Sequence, residues 1–251
     1  MSRMGSDGVE RNIIEIFSSV QGEGKYVGCR QVFVRFEGCN LRCRYCDTEN
    51  RPGTHGFCRV ETVSGSRGFT HWKNPLSEEQ VCRIIEDMTK AVPHQAVSFT
   101  GGEPLLQWEF IYDVAGRLGT KVFLETNGTL CEPLAKIIDR VDIISMDIKM
   151  PSMVGEPLWE QHRGFLEIAR QRDLYVKIVV SAETEEEEFH RATELVAEIA
   201  PEALLVIQPV TPFGGCKAAS PKKILDCQSH ALQYLRDVRV IPQTHRMMGQ
   251  L

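Results

Sequence analysis

The sequence predicts an α/β fold, a partial (β/α)6 barrel of parallel strands. Two patterns lead to this class: short apolar runs recur along the chain, and segments with helical apolar spacing fall between them, about six times in all. A third observation concerns the apolar runs themselves, which are continuous and do not alternate with polar residues. Continuous runs are typical of parallel strands covered on both faces. No repeat of fixed period is visible, which argues against a solenoid.

Seven apolar runs are predicted as the buried strands of this barrel. They cover residues 31–38, 96–102, 121–128, 141–149, 174–181, 203–210 and 238–245. Each of the first six is followed by a segment with turn residues or helical spacing, as a strand–helix alternation requires. The seventh run closes the chain.

Helical spacing is clearest in the segment that begins at Ser77. This N-cap residue is followed three positions later by Gln80, which predicts a capping box. A second helix is predicted to start with Pro104, a favourable first-turn residue, and to end on Gly119. The acidic run at residues 183–188 is predicted to open a solvated helix, because negative charge suits the positive end of the helix dipole. The predicted helices are residues 77–90, 104–119, 157–172, 183–200 and 221–237.

Residues 48–76 do not join the alternation of strands and helices. This segment is rich in Gly, Ser and Thr and precedes the helix that begins at Ser77. A loop of this length in a compact domain is usually functional or disordered. We therefore predict one domain over residues 1–251, with an excursion at about residues 48–76 over the mouth of the barrel and a short hairpin around residues 64–68.

Composition and charge limit the classes of function that this chain could have. The chain has 251 residues and a formal net charge of −5, so nucleic acid is not expected as a direct partner. No apolar run approaches the roughly 18 residues that a membrane span needs. The polar start of the chain lacks the apolar core of a signal peptide, which predicts a cytoplasmic protein without a membrane partner. Nine cysteines, an odd number, favour a metal or cluster over disulfides in that compartment.

Three of these cysteines, Cys39, Cys43 and Cys46, lie within eight positions at spacing Cys-x3-Cys-x2-Cys. Structural zinc normally takes four protein ligands, and His55 or Cys58 would be the available fourth. An iron–sulfur cluster also normally takes four cysteines. A four-iron cluster held by three cysteines has one iron open to a small molecule, and an open iron favours a catalytic centre.

The cysteine spacing, with Tyr45 just before the last Cys, resembles the cluster loop of the radical S-adenosylmethionine (SAM) superfamily. The resemblance implies a [4Fe-4S] cluster on Cys39, Cys43 and Cys46, whose open iron chelates the amino and carboxylate groups of SAM. One electron from the reduced cluster then gives a 5'-deoxyadenosyl radical that abstracts hydrogen from a substrate. The cofactor carries this chemistry, and the protein positions it and excludes water.

Other motifs fit the same superfamily. "TGGEP" follows an apolar run and opens a helix, where glycines allow close backbone approach; alone it is equally well a tight turn. "LETNG" and "DIK" end the next two predicted strands, at the edge where parallel α/β proteins bind ligands. Glu125 and Lys149 also have a structural interpretation as members of ion pairs. The resemblance implies SAM contacts from Tyr45, Cys46, Asp47, Gly101, Gly102, Glu103, Glu125, Asn127, Asp147, Lys149 and Gln208.

Motifs outside the cluster loop resemble one branch, the 7-carboxy-7-deazaguanine synthase family of the queuosine pathway. They are "QGEG" before the cluster, "CDT" after it and the ending "VIPQTHRMMGQL", and the resemblance runs from Glu15 to the last residue. It implies a lyase that converts 6-carboxy-5,6,7,8-tetrahydropterin to 7-carboxy-7-deazaguanine with loss of ammonia. It also implies Mg²⁺, a homodimer and an external electron donor such as flavodoxin or ferredoxin.

The same resemblance implies a substrate site. Gln21 offers both a donor and an acceptor to a pterin edge, and Arg35 has a planar fork suited to a carboxylate. Thr48 matches the Mg²⁺ ligand, although a Thr after Asp is by itself typical of a turn. The two glycines of "QGEG" also suit a turn, and a lone His near a terminus is often a packing residue. The implied substrate contacts are Val20, Gln21, Gly22, Arg35, Thr100, His245 and Leu251.

Two other functions compete with this interpretation. Glycyl-radical enzyme activases share the three-cysteine loop and a similar length, but "QGEG" and "QTHR" argue against them. A non-enzymatic iron–sulfur or zinc binding module would need only the cysteines. The remaining six cysteines are not grouped as an auxiliary cluster would require: Cys29, Cys58 and Cys216 are interpreted as plain thiols, and Cys82, Cys131 and Cys227 as core packing.

Overall fold

The described part of the chain, residues 9–46, 48 and 53–250 of a computed structural model, contains twelve strands in two sheets. The strands are β1 (Glu10–Arg11), β2 (Ile13–Val20), β3 (Arg30–Phe36), β4 (Phe57–Glu61), β5 (Phe69–Lys73), β6 (Leu76–Ser77), β7 (Ala96–Gly101), β8 (Val122–Thr126), β9 (Ile143–Ile148), β10 (Asp173–Val180), β11 (Leu204–Pro209) and β12 (Val238–Val240). The strands β1 and β6 form a small antiparallel pair. The other ten form one sheet in the order β12-β11-β10-β9-β8-β7-β3-β2-β4-β5.

Seven neighbouring strands of the large sheet, β3 and β7 to β12, are parallel. Each of the seven predicted strand segments overlaps one of them, and the predicted α/β class with a parallel sheet is confirmed. The seventh strand was predicted too long, over residues 238–245. The strand β12 ends at Val240, because Pro242 cannot donate to the ladder, and residues 244–247 form a helical turn instead of a strand.

Eight α-helices lie in the described residues: α1 (Glu78–Ala91), α2 (Trp108–Ala115), α3 (Cys131–Ile137), α4 (Pro151–Val154), α5 (Trp159–Ala169), α6 (Glu186–Ile199), α7 (Pro221–Ala231) and α8 (Thr244–Met247). The predicted capping box is present, since Gln80 Oε1 accepts from the Ser77 N–H at 2.9 Å. The helix predicted from Pro104 begins with a 3-10 turn (Pro104–Gln107), and α2 ends at Ala115. Within this part of the chain, every helix is too short or too polar to span a bilayer.

The excursion predicted over the barrel mouth contributes a hairpin to the edge of the sheet. Its strands β4 and β5 are antiparallel, and β4 pairs in parallel with β2. The strand β2 was not predicted. It pairs antiparallel with β3 and carries Glu15, Ser18 and Ser19, all buried, in an otherwise apolar run.

The two faces of the parallel sheet differ in polarity. Outward side chains such as Val97, Phe99 and Ile144 belong to the main apolar core with the helices. Inward side chains near the amino ends of the strands form a second apolar cluster: Ala96, Phe123, Ile143, Tyr175, Leu204 and Val206. Inward positions further along the same strands are polar: Thr100, Glu125, Asp147, Lys177 and Gln208. The barrel is therefore filled with apolar side chains at one end and opens into a polar cavity at the other.

Candidate active site

A polar cavity, the main cavity, lies at the carboxyl ends of the parallel strands. In parallel α/β proteins ligands bind at this edge, because the loops of neighbouring strands converge there. Fourteen of the residues predicted to bind cluster, cofactor, magnesium or substrate line it: Arg35, Cys39, Cys43, Tyr45, Cys46, Thr48, Thr100, Gly101, Gly102, Glu125, Asn127, Asp147, Lys149 and Gln208. The fold thus brings together residues that are far apart in the chain, from Arg35 in β3 to Gln208 in β11.

The three cysteines lie in the loop after β3, and all border the main cavity. The Cys46 N–H donates to the Cys43 carbonyl at 3.1 Å, which folds this part of the loop into a turn. The Cys39 Sγ accepts from the Leu41 N–H at 3.4 Å, and Asn127 Nδ2 lies 3.9 Å from it. Burial raises the pKa of the Cys39 and Cys43 thiols. Among the described residues no three His, Cys, Asp or Glu side chains already form a metal site.

The glycine motif after β7 packs directly on the backbone of β3. Gly101 has φ +115°, in the region that favours glycine, and a Cβ there would lie 2.4 Å from the Phe36 carbonyl oxygen. The Gly102 N–H donates to that same oxygen at 3.2 Å, and the Glu103 N–H donates to the Gly38 carbonyl at 2.8 Å. These two N–H groups therefore fasten the motif to the end of β3 and the start of the cysteine loop.

Glu103, predicted to contact the cofactor, is fully buried and does not line the main cavity. One carboxylate oxygen accepts from Leu105 N–H at 3.1 Å and Thr126 Oγ1 at 2.8 Å, and the other accepts from Asn127 N–H at 2.8 Å. Burial raises the pKa of Glu103 to about 7. Its contacts join the glycine motif to the end of β8 and so position Asn127 at the cavity wall.

Gly101→Ala is expected to lower the free energy of unfolding by about 2 kcal/mol, since the new Cβ meets backbone atoms that cannot move aside cheaply. Gly119→Ala is the matched control, because a Cβ at Gly119 meets nothing within 4 Å. Chemical denaturation of both variants beside the parent protein measures the effect. Equal unfolding midpoints for the two variants would contradict the close contact.

A buried ion pair lies on the cofactor side of the main cavity. Lys149 Nζ is 2.9 Å from Asp147 Oδ2 and 3.4 Å from the Tyr45 hydroxyl. Burial alone would lower the pKa of Lys149, but Asp147 raises it well above its ordinary value. Behind the pair, fully buried His162 accepts from the Lys149 N–H at 3.1 Å and lies 3.0 Å from the Gly128 carbonyl through its other ring nitrogen. This second contact identifies Nδ1 as the protonated nitrogen and makes His162 a positioning residue for Lys149.

A second buried cation, Lys177, lines the main cavity. Its ammonium contacts Glu23 and lies 3.7 Å from Asp147 Oδ2. The other Glu23 carboxylate oxygen accepts from Gln243 Nε2 at 2.7 Å. Burial raises the pKa of Glu23, but the Lys177 ammonium and the hydrogen bonds outweigh it and lower the pKa to about 2. Lys177 thereby connects the cofactor-side acid Asp147 with the "QGEG" motif.

A smaller cavity, the side cavity, adjoins the main cavity through shared lining residues. Arg35, Thr100 and Glu125 border both cavities. Glu125 accepts from Gln21 Nε2 and from Thr100 Oγ1, each at 2.7 Å. The predicted substrate residues lie here: Val20, Gln21, Gly22, Arg35, Thr100 and His245. The residues predicted for substrate therefore border the side cavity, and Arg35, Thr100 and Glu125 join it to the main cavity, which most of the residues predicted for the cofactor border.

Arg35 has an anionic partner within the protein. Its Nε donates to Glu15 Oε1 at 2.9 Å, and Arg59 pairs with the other Glu15 oxygen. The anion that an Arg in an apolar strand requires is thus supplied in part by β2. Arg35 also borders both cavities, and a guanidinium has further N–H groups besides the one that Glu15 accepts from.

Several cavity residues were not predicted from the sequence. Lys177 had a usable signal, because a lone cation inside the apolar run "LYVKIVV" needs a buried anion as Arg35 does. Glu23 and Gln243 stand inside the quoted "QGEG" and "QTHR" but were not singled out, and His162, behind the cavity wall, gave no signal. Two predicted residues, Asp47 and Leu251, lie outside the described residues.

The donors around the main cavity fit a cluster with a bound sulfonium cofactor. Three thiols supply soft ligands for iron. Asp147 Oδ1 and Gln208 Oε1 are buried side-chain acceptors that have no hydrogen-bond partner among the described residues. Buried acceptors of this kind are costly unless something donates to them, and a bound ligand with hydroxyl or amino groups would do so.

Comparison with known proteins identifies the family of this chain. Residues 33–196 match the radical SAM superfamily. A protein named 7-carboxy-7-deazaguanine synthase from Geobacter sulfurreducens is 47% identical over 94% of this chain and 96% of its own length. One of the same name from Methanocaldococcus jannaschii is 36% identical over 95% of this chain and 100% of its own.

A solved structure gives the same fold. The crystal structure of QueE from Escherichia coli aligns over 94% of this chain and 95% of its own with a TM-score of 0.61, at 20% sequence identity. At that identity the likeness concerns the fold, and it confirms the predicted fold type. The sequence relatives confirm the predicted family. The chain belongs to the radical SAM superfamily and, within it, to the 7-carboxy-7-deazaguanine synthase family.

Proposed function

We propose that this radical SAM enzyme converts 6-carboxy-5,6,7,8-tetrahydropterin to 7-carboxy-7-deazaguanine with loss of ammonia, in queuosine biosynthesis. The observation that carries the proposal is the pair of adjoining cavities. Three thiols border the main cavity, and the "QGEG" motif borders the side cavity. Arg35, Thr100 and Glu125 border both. The names of the sequence relatives point to the same reaction.

The main cavity would hold the cofactors. Cys39, Cys43 and Cys46 would ligate a [4Fe-4S] cluster, which with SAM supplies one-electron reduction and hydrogen-atom abstraction when both are bound. The buried acceptors Asp147 Oδ1 and Gln208 Oε1 would take hydroxyl or amino donors of SAM. Other proposed SAM contacts are Tyr45, Asp47, Gly101, Gly102, Glu125, Asn127 and Lys149, while Glu103 would act by positioning Asn127.

The side cavity would hold the pterin. Arg35 would pair with the substrate carboxylate at the junction of the two cavities, and Gln21 and Glu125 would hydrogen-bond the polar ring edge. His245 packs against Gly22, where a Cβ would lie 2.2 Å from His245 Nδ1, so Gly22 leaves room for the tail to cover this side. Val20, Thr100 and Leu251 complete the proposed substrate set.

Turnover under anaerobic conditions tests the proposal. The reconstituted protein is incubated with SAM, a reductant and 6-carboxy-5,6,7,8-tetrahydropterin, and the product is identified by its ultraviolet absorbance and mass. We expect the deazapurine carboxylate. Cleavage of SAM without this product would favour another branch, such as a glycyl-radical enzyme activase. A colourless protein with one zinc would favour a binding module.

Thr48 is proposed as a Mg²⁺ ligand, because it borders the main cavity directly after the cysteine loop and Mg²⁺ prefers oxygen ligands. Thr48→Ala is expected to lower turnover about tenfold and to change its dependence on Mg²⁺ concentration, since one oxygen ligand is lost. Cleavage of SAM is expected to continue. An Mg²⁺ titration of both proteins checks this, and an identical response would remove Thr48 from the metal site.

The partners follow from the same proposal. An external donor such as flavodoxin or ferredoxin would supply the electron, and the exposed Arg42 and Arg44 beside Cys43 would suit an acidic donor. We also propose a homodimer, on the family resemblance, which light scattering of the purified protein tests. The predicted cytoplasmic location stays a prediction.

A further inference from the structure

We propose that the hairpin turn of residues 62–68 clamps the C-terminal segment, residues 241–250, over the side cavity, and that Arg67 and Glu61 are the positioning residues of this clamp. The inference assigns a role to the excursion at residues 48–76. It rests on the proposed function only where substrate affinity is used as a readout.

The C-terminal segment is attached near the side cavity at its inner end. The Thr244 N–H and hydroxyl both donate to the Gly22 carbonyl, at 2.8 and 3.0 Å. Gln243 donates to Glu23, and His245 lines the side cavity. These contacts bring the segment onto the "QGEG" motif but leave its last residues to be held elsewhere.

Contacts from the hairpin turn and from β2 hold the outer end. Arg67 Nη2 donates to the Gly249 carbonyl at 2.5 Å, and Ser19 Oγ donates to Gln250 Oε1 at 3.2 Å. The Gln250 N–H donates back to the His245 carbonyl at 2.9 Å. A contact at Gly249 or Gln250 therefore bears on the position of His245, which faces the side cavity.

The hairpin turn is built to present Arg67. Its φ is +57°, the one non-glycine positive φ among the described residues, and such a conformation persists only where surrounding contacts impose it. The carboxylate of Glu61, 5% exposed, supplies these contacts, since Oε1 accepts from the Gly65 N–H at 2.9 Å and the Arg67 N–H at 3.3 Å.

Glu61 also ties the turn to the strand that leads into the substrate motif. Its second oxygen, Oε2, accepts from the Ser18 N–H in β2 at 3.2 Å. Two residues after Ser18, β2 ends at Val20 and the "QGEG" motif begins. The Glu61 carboxylate thus fixes the hairpin turn relative to β2, whose end lines the side cavity. The turn then contacts the C-terminal segment through Arg67.

Arg67→Asn tests the clamp with little cost to the fold, because Asn tolerates the left-handed conformation and the side chain that is shortened is exposed. We expect amide hydrogen exchange at residues 248–250 to become about fivefold faster in the protein without substrate, as one charge-assisted hydrogen bond is lost. The unfolding midpoint should stay unchanged. Lys73→Asn is the control, since it removes an exposed positive charge from β5 of the same hairpin.

Steady-state kinetics give the second readout. Arg67→Asn is expected to raise KM for the carboxytetrahydropterin about threefold with kcat nearly unchanged, while Arg67→Lys restores part of the loss and Lys73→Asn changes neither constant. Unchanged exchange at residues 248–250 in Arg67→Asn would overturn the clamp. Faster exchange in a protein that never turns over the pterin would keep the clamp and overturn the proposed function instead.

Discussion

The Cys43→Ala protein is expected to assemble no stable four-iron cluster and to form no 5'-deoxyadenosine from SAM, while it keeps its fold. Two thiolates are left where the proposed cluster needs three protein ligands. The fold should survive, because the contact that shapes the loop at this residue is made by the Cys43 backbone carbonyl, which alanine retains. Iron content, visible absorbance and SAM cleavage after anaerobic reconstitution measure the loss, and circular dichroism checks the fold.

Cys29→Ala is the matched control for this experiment. Cys29 is also a partly exposed thiol, but it lies outside the main cavity and is interpreted as a plain thiol. Its iron content and SAM cleavage should equal those of the parent protein. Cleavage retained in Cys43→Ala would mean that the cysteine loop does not hold the cluster as proposed.

Lys177→Met is expected to lower the free energy of unfolding by about 3–5 kcal/mol, or the melting temperature by about 10 °C. The side chain is 7% exposed and its ammonium contacts Glu23. Methionine fills similar space but carries no charge. The Glu23 carboxylate then loses its cationic partner, and Asp147 loses the nearby Lys177 ammonium. Thermal unfolding of the two proteins at pH 7 measures the difference.

The double variant Lys177→Met, Glu23→Gln separates loss of charge pairing from loss of packing. It should recover most of the lost stability, because no uncompensated carboxylate remains at position 23. If the double variant melts as low as Lys177→Met, the ion pair is not the cause.

The pH dependence of stability follows from the same pair. The pKa of Glu23 falls from 4.5 to about 2 on folding, so its contribution is fully present above about pH 4.5 and is lost as the pH falls toward 2. Glu23→Gln should therefore show a shallower loss of stability between pH 4.5 and 2 than the parent protein.

The sequence predicted the parallel strands well because their signal is local. A continuous apolar run such as residues 204–209 indicates a buried strand. The N-cap Ser77 lies within four residues of its partner Gln80, so the capping box is visible in the sequence. Most proposed ligands came from the resemblance to the radical SAM superfamily, whose motifs lie at or just after the ends of such strands.

The parts that sequence reasoning missed depend on distant partners. The strand β2 carries a buried Glu15, and its burial is explained only by Arg35 and Arg59 from two other strands. Lys177 likewise requires Glu23, 154 positions away in the chain. The hairpin of residues 57–73 is held at the sheet edge by β2, so its location could not be derived while β2 was unassigned.

Glu103 shows the limit of reasoning from a motif. The "TGGEP" pattern marks the strand–helix turn correctly, but it does not tell which of its groups face outward. The carboxylate turns inward because three donors converge on it: Thr126 at the end of β8, Asn127 in the turn that follows, and Leu105 in its own 3-10 turn. Only the packing of β7 against β8 decides this.

Mössbauer spectroscopy of the anaerobically reconstituted, iron-57-enriched protein, with and without SAM, tests the central claim most directly. The claim is that three cysteines hold a four-iron cluster and leave one iron for the cofactor. It predicts about four irons per chain, of which one changes its spectrum when SAM is added. A cluster with no iron that responds to SAM, or a single bound zinc in place of iron, would contradict it.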